Sequence, residues 1–130
     1  MDIFWKKYEN LRKHGHRPLF EGVRRGAPLP FSFKEFSAIV YSALAIGRCH
    51  HCMEVLNLNN FSPDHMTAIS EGGRTILSNI RIICWPCNNE KKSMSDKIFH
   101  RLKAKDRLRA LRESRAKRGT SEALLLSLEP

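Results

Sequence analysis

The stretch CHHCMEVLNLNNFSPDHMTAISEGGRTILSNIRIICWPCNNEKK, residues 49–92, decides how this chain folds. Its ends carry two Cys-x-x-Cys pairs, Cys49-His50-His51-Cys52 and Cys84-Trp85-Pro86-Cys87, which hold all four cysteines of the chain. One such pair can grip a metal ion from the two ends of a tight turn, and two pairs complete a tetrahedral thiolate site. A single pair could serve redox chemistry, but two matched pairs argue for metal. The 31 residues between them suffice for a hairpin-like insertion that returns to its starting point. Four thiolates leave no open coordination position, so the expected zinc is structural. In a small domain it supplies on the order of 10 kcal/mol of apparent folding free energy. His50 and His51 lie inside the first turn and are expected to be exposed rather than to displace a sulfur ligand.

Between the pairs lie Pro63-Asp64-His65-Met66, Gly72-Gly73 and Asn79-Ile80-Arg81-Ile82-Ile83, and Asn88-Asn89-Glu90-Lys91 follows Cys87. Hydrolysis of a phosphodiester needs a base for water, a cation against developing negative charge, and groups that align them. His65 is the natural base, because an imidazole is mostly neutral at pH 7. Asp64 is the natural ligand for a hard cation, and Asn88, at the start of a helix fixed by Cys87, offers a second oxygen. Neighbours on a regular strand point to opposite faces. Asp64 and His65 can therefore share a site only where the strand twists or ends, and Pro63 marks such a break. Lys91, one helical turn after Asn88, either approaches the scissile phosphate or is a solvated lysine. Arg74, Arg81, Lys92, Lys97 and Arg101 are candidate nucleic-acid contacts.

The order Cys-x-x-Cys, Asp-His, Gly-Gly, Asn-Ile, Cys-x-x-Cys-Asn, Lys resembles the HNH (His-Asn-His) endonucleases, the zinc-bearing branch of the ββα-metal nucleases. The likeness spans about residues 49–92. It implies that His65 is the general base and Asp64 a ligand of a catalytic divalent ion. Asn79 becomes the middle Asn, which ties the loop between the strands and so orients His65. Asn88 stands where the motif's last His would be, as the second metal ligand. An amide oxygen there favours Mg²⁺ or Mn²⁺ over softer metals. Ala68 replaces a proline that many relatives carry. The resemblance further implies DNA cleavage leaving 5′-phosphate and 3′-hydroxyl ends. Small proteins of this kind occur as homing enzymes, in restriction systems and beside phage packaging machinery.

Outward from this core, the chain has 130 residues, about one domain, and 42% of them are hydrophobic. The expected class is α+β: an N-terminal helical segment (1–47), a zinc-stapled ββα core (48–94) and a basic C-terminal helix with a tail (95–130). Phe4, Trp5, Tyr8 and Leu11 recur at helical intervals over 2–14, and the glycines and prolines of 15–31 predict a loop. Ser32 with Glu35 reads as a capping box, Phe33, Phe36, Val40, Ala43 and Leu44 as a core stripe, and Gly47 as the stop. Val55, Leu56 and Leu58 around Asn57, Asn59 and Asn60 suggest a short hairpin. A strand follows over 61–66, a loop over 67–78 and a buried strand over 80–83. The pattern turns helical from Asn88. A last helix is expected from Ser95 toward Lys117, with Ile98, Phe99, Leu102, Leu108 and Leu111 on one side. Residues 120–130 would form a docking turn or a frayed tail.

The net charge is +10, and 12 basic against 3 acidic residues fall between Lys91 and Arg118. Such a surplus implies a polyanionic partner, DNA first among them, with RNA suited by charge alone. No apolar run approaches the ~18 residues of a membrane span, and the N-terminus lacks signal-peptide order. A soluble cytoplasmic protein without membrane or small-molecule cofactor is expected. The competing class is a zinc-containing nucleic-acid-binding protein without catalysis.

Overall fold

The computed structural model describes residues 2–15 and 28–127. Helix α1 (Asp2–Asn10) continues as a π-helical turn over Leu11–Gly15. Phe4 and Leu11 are buried on its inner face. Tyr8 donates its hydroxyl to the Phe31 carbonyl at 2.7 Å, which ties the helix to the segment before α2. Of the loop expected over 15–31, residues 16–27 lie outside the described residues. Residues 28–31 are irregular, with Leu29 and Phe31 buried.

Helix α2 (Phe33–Ile46) starts and stops as the sequence predicts. Ser32 Oγ accepts from the Glu35 N–H at 3.1 Å, and Glu35 Oε1 accepts from the Ser32 N–H at 3.0 Å. The helix ends at Gly47, whose φ of 72° is the left-handed conformation that a side chain disfavours. Phe36 and Val40 are fully buried, and Phe33, Ala43 and Leu44 pack at the core's edge.

The Cys49–Cys52 knuckle is held by one antiparallel bridge, Arg48 with Val55, and by the Cys49 N–H donating to the Glu54 carbonyl at 2.8 Å. The hairpin expected around Asn57 is instead a turn stapled by asparagines. Asn60 Oδ1 accepts from the Asn57 N–H, and Asn57 Oδ1 from the Asn59 N–H, both at 2.9 Å. Short amide side chains compete with ladder bonds for backbone donors, which converts a would-be strand into a turn.

Strands β1 (Phe61–His65) and β2 (Ile80–Cys84) pair antiparallel from Phe61↔Cys84 to His65↔Ile80. In a two-stranded sheet both strands are edges, so Pro63 can sit within β1. The connection contains two 3-10 turns, Ile69–Glu71 and Leu77–Asn79. Gly72 closes the first at φ 86°. At Gly73 a Cβ would lie 1.9 Å from the Thr67 carbonyl oxygen, so the loop can fold on itself only around a hydrogen.

Helix α3 (Trp85–Lys91) begins three residues before the expected Asn88. Pro86 in its first turn has no N–H to waste and a φ already suited to a helix. Lys92, at φ 51°, ends it. Helix α4 (Asp96–Ser127) runs ten residues past Lys117 and replaces the expected turn or tail over 120–127. Residues 128–130 lie outside the described residues. Its expected apolar side is a correction: Phe99 is buried, but Ile98, Leu102, Leu108 and Leu111 are exposed. The first turns touch the body, and residues 108–119 are exposed throughout. A single core joins Phe4, Phe36, Val40, Leu56, Phe61, Ile83 and Phe99, so the sheet that carries the site rests on α1, α2 and the base of α4. The described part is thus α+β, helices around one small antiparallel sheet.

Candidate metal centre and active site

The four cysteine sulfurs converge, all within 4.8 Å of one another. Cys52 Sγ and Cys84 Sγ are 3.7 Å apart, and a tetrahedron with metal–sulfur arms of ~2.3 Å has edges of about 3.8 Å. The Cys84 N–H points to Cys49 Sγ at 3.5 Å. Burial pushes the Cys84 thiol up to about 11 and raises Cys87 as well, with neighbouring sulfurs adding to the latter. At Cys49 burial acts upward too, but backbone N–H groups of Cys52, Cys84 and His51 outweigh it and lower the pKa. Buried sulfurs this close become thiolates together only around a cation, and the donor set and spacing fit zinc.

His51 corrects the expectation of exposure. It is fully buried, with Nε2 3.0 Å from Asp96 Oδ1 and Nδ1 3.2 Å from His100 Nδ1. Helix α4 covers the knuckle there, and Arg107 donates to the His51 carbonyl. Only His50 is exposed, as expected of both. Partial burial, with Arg81 adding repulsion, nonetheless lowers its pKa to about 4.

Asp64, His65 and Asn88 line one open pocket of about 280 Å³, with Ala68, Ile69, Ser70, Lys92 and Ser93 completing it. Opposite strand faces do not prevent this, because His65 is the last residue of β1 and the pocket wraps the strand's end. His65 Nε2 is 2.9 Å from Thr75 Oγ1. Thr75 is fully buried; no sequence motif singles it out, since its place depends on how the loop closes. Asn88 Nδ2 donates to Ser62 Oγ at 2.7 Å and points at the Pro63 carbonyl at 3.4 Å. With its nitrogen engaged by β1, the amide is held in one orientation.

Asn79 lies where the loop needs a tie. Its Nδ2 donates to the Thr67 and Arg74 carbonyls at 3.0 and 2.8 Å, and its Oδ1 accepts from the Thr67 N–H at 2.9 Å. Its own carbonyl accepts from the Met66 N–H at 2.8 Å. These bonds grip the chain on both sides of the His65–Thr75 contact.

Lys91 is neither solvated nor open to a phosphate. It is 1% exposed, its Nζ 2.9 Å from Asp64 Oδ2 and 3.0 Å from the His65 carbonyl oxygen. The seven-residue α3 lays its last turn over β1, and there the only anion within reach of the ammonium is the carboxylate it pairs with among the described contacts. Burial raises the pKa of Asp64, and the Lys91 hydrogen bond and charge pull it back only in part. Arg81, a third of its side chain exposed, is tied on its inner side. Its Nε pairs with Asp96 Oδ2 at 3.0 Å, fastening β2 to α4. Arg74, Lys92, Lys97 and Arg101 are exposed, and of these Lys92 borders the pocket.

No helix among the described residues is long and apolar enough to cross a membrane. A search of curated proteins gives no match. Residues 49–94, about a third of the chain, match the family model described as HNH endonuclease. The matched segment runs from Cys49 to the residues just past α3 and contains the whole sheet, the four-cysteine cluster and the pocket. Over that stretch the chain is similar to the HNH endonucleases, a family of nuclease type.

Proposed function

We propose that the protein is a DNA endonuclease that hydrolyses phosphodiester bonds, with His65 as general base and Asp64 and Asn88 as ligands of a divalent ion. The observation that carries this reading is the single pocket shared by these three side chains. A carboxylate, an amide oxygen and an imidazole form a donor set suited to a hard cation such as Mg²⁺ or Mn²⁺. Lys91 occupies one oxygen of Asp64, and the second oxygen remains for the ion. When bound, the ion would polarise the scissile phosphate and offset the charge that builds on its oxygens.

The chain's own groups do the rest. The tautomer that serves as base is the one protonated at Nε2, where Thr75 Oγ1 can accept, with Nδ1 taking the proton from water. Asn79 holds the loop that brings Thr75 to His65 and thus acts as a positioning residue. Lys91 fixes both Asp64 and the backbone of His65, which sets the distance between ligand and base. Lys92, Lys97, Arg101 and Arg74 meet phosphates. Contacts of that kind give affinity that falls steeply with salt and little sequence information. Cleavage in this scheme leaves 5′-phosphate and 3′-hydroxyl ends.

The Lys91–Asp64 ion pair is also what a non-catalytic nucleic-acid-binding module would show, since it neutralises the carboxylate without any ion. Plasmid cleavage in Mg²⁺ or Mn²⁺, comparing the wild type with His65→Ala and mapping the ends, separates the two. The wild type cuts and His65→Ala loses at least ~100-fold, in line with the usual contribution of a general base. Binding without cutting under either metal would leave the module reading.

A further inference from the structure

We infer that His50, His51 and His100 form a second metal site, separate from the sulfur cluster and from the Asp64 pocket, that takes a borderline divalent transition metal such as Zn²⁺ or Ni²⁺. One ring nitrogen from each of the three lies within 4.8 Å of the others. The two that come from different elements are already nearly at ligand spacing. His51 Nδ1 and His100 Nδ1 are 3.2 Å apart, and two imidazole nitrogens on one tetrahedral ion with arms of ~2.0–2.1 Å stand about 3.4 Å apart.

The tautomer of His51 agrees with this. Its Nε2 faces Asp96 Oδ1 at 3.0 Å, and a carboxylate there fixes the proton on Nε2 and leaves the lone pair on Nδ1. Ligating histidines are oriented by such a carboxylate partner on the far ring nitrogen. Asp96 is itself held by Arg81 Nε at 3.0 Å, so the support is built rather than incidental. His50 stacks on His100 with ring centroids 4.4 Å apart and is exposed, which gives an ion access and leaves one ligand free to adjust. Imidazole donors without thiolate or a directly facing carboxylate select zinc, nickel, cobalt and copper over magnesium and calcium.

The three ligands come from the knuckle and from the second turn of α4, 49 residues apart in sequence between His51 and His100. An ion there would clamp the basic helix onto the zinc-bearing core and fix its direction relative to the pocket. The core's zinc and this ion would thus share the knuckle while using different residues of it.

The test uses tag-free full-length protein loaded with one equivalent of zinc, titrated with Ni²⁺ under equilibrium dialysis. The wild type takes up one further equivalent. His50→Ala weakens that uptake at least tenfold and His100→Ala abolishes it, while both keep the first zinc. Excess Mg²⁺, which would fill the proposed catalytic pocket, leaves the uptake unchanged and so separates this site from that ion. Bound Ni²⁺ shows nitrogen and not sulfur coordination by X-ray absorption. No second equivalent in the wild type, or undiminished uptake in both His50→Ala and His100→Ala, would overturn the inference.

Discussion

Replacing Lys91 by Met removes an ammonium that is wholly enclosed. Its Nζ lies 2.9 Å from Asp64 Oδ2, the two side chains being 0% and 7% exposed, and it also donates to the His65 carbonyl at 3.0 Å. Removing one partner of a buried pair leaves the other charge unpaired and costs about 3–5 kcal/mol. A domain's entire net stability is about 5–15 kcal/mol, so Lys91→Met places the core near its limit. Asp64→Asn should cost a similar amount by stranding the ammonium. The double variant Lys91→Met/Asp64→Asn removes both charges and should cost less than the sum, with a coupling of about 2 kcal/mol or more. Because burial already raises the Asp64 pKa, the carboxyl is least costly when protonated. The Lys91→Met deficit is therefore smallest in acid and grows as pH rises through that raised pKa. Urea unfolding in the presence of zinc measures all three variants. Mn²⁺ should restore stability to Lys91→Met and not to the double variant, because only the former keeps the carboxylate. Additivity within about 0.5 kcal/mol would refute the buried-pair argument, and an equal Mn²⁺ effect on both would refute Asp64 as a ligand.

Further outcomes follow from the same contacts. Asn79→Ala breaks three side-chain hydrogen bonds in the loop, each worth about 1 kcal/mol; kcat should fall more than KM changes, and a reversed split would place Asn79 in substrate binding. Zinc removal by a chelator, or Cys84→Ser, should abolish the cooperative thermal transition seen by circular dichroism, and a transition that survives unchanged contradicts a structural metal. Asp96→Asn loses partners in both Arg81 and His51 and should cost about 1.5–3 kcal/mol. The Asp96 pKa is lowered: burial acts upward but the His51 bond and nearby positive charges prevail. That contribution is present above the ordinary carboxylate value and lost as pH falls through the lowered one, so the deficit should not shrink between pH 7 and pH 5 in urea titrations. Gly73→Ala should displace the 67–73 loop, given the 1.9 Å approach to the Thr67 oxygen, and unchanged activity and stability would argue that the loop tolerates rearrangement.

What could be read from sequence was what local spacing determines. Cysteine pairs with two residues between them, the Ser32–Glu35 box and the Gly47 stop each involve atoms that neighbouring residues bring together. Order and residue type single out Asp64, His65, Asn79 and Asn88 as candidates; three of them line one pocket, and Asn79 bonds to its loop. Lys91 was misjudged because its burial arises from α3 lying across β1, a packing no local pattern encodes. His51 was misjudged for the same reason, since α4 returns from 45 residues away to cover it. The apolar residues of α4 illustrate the converse: helical periodicity reads the same whether a face meets a core or solvent, and at Leu102, Leu108 and Leu111 it meets solvent. Thr75, Asp96 and Ser62 carry no motif and appear only when the chain closes around them.

The central claim is that one divalent ion sits among Asp64, His65 and Asn88, and Mn²⁺ soaked into crystals of the zinc-loaded protein addresses it most directly. Anomalous diffraction at the manganese edge should give one peak in the pocket at the end of β1, bonded to oxygens of Asp64 and Asn88, and absent in Asp64→Ala. Manganese bound elsewhere with that pocket vacant, while the same protein cleaves DNA, would contradict the account.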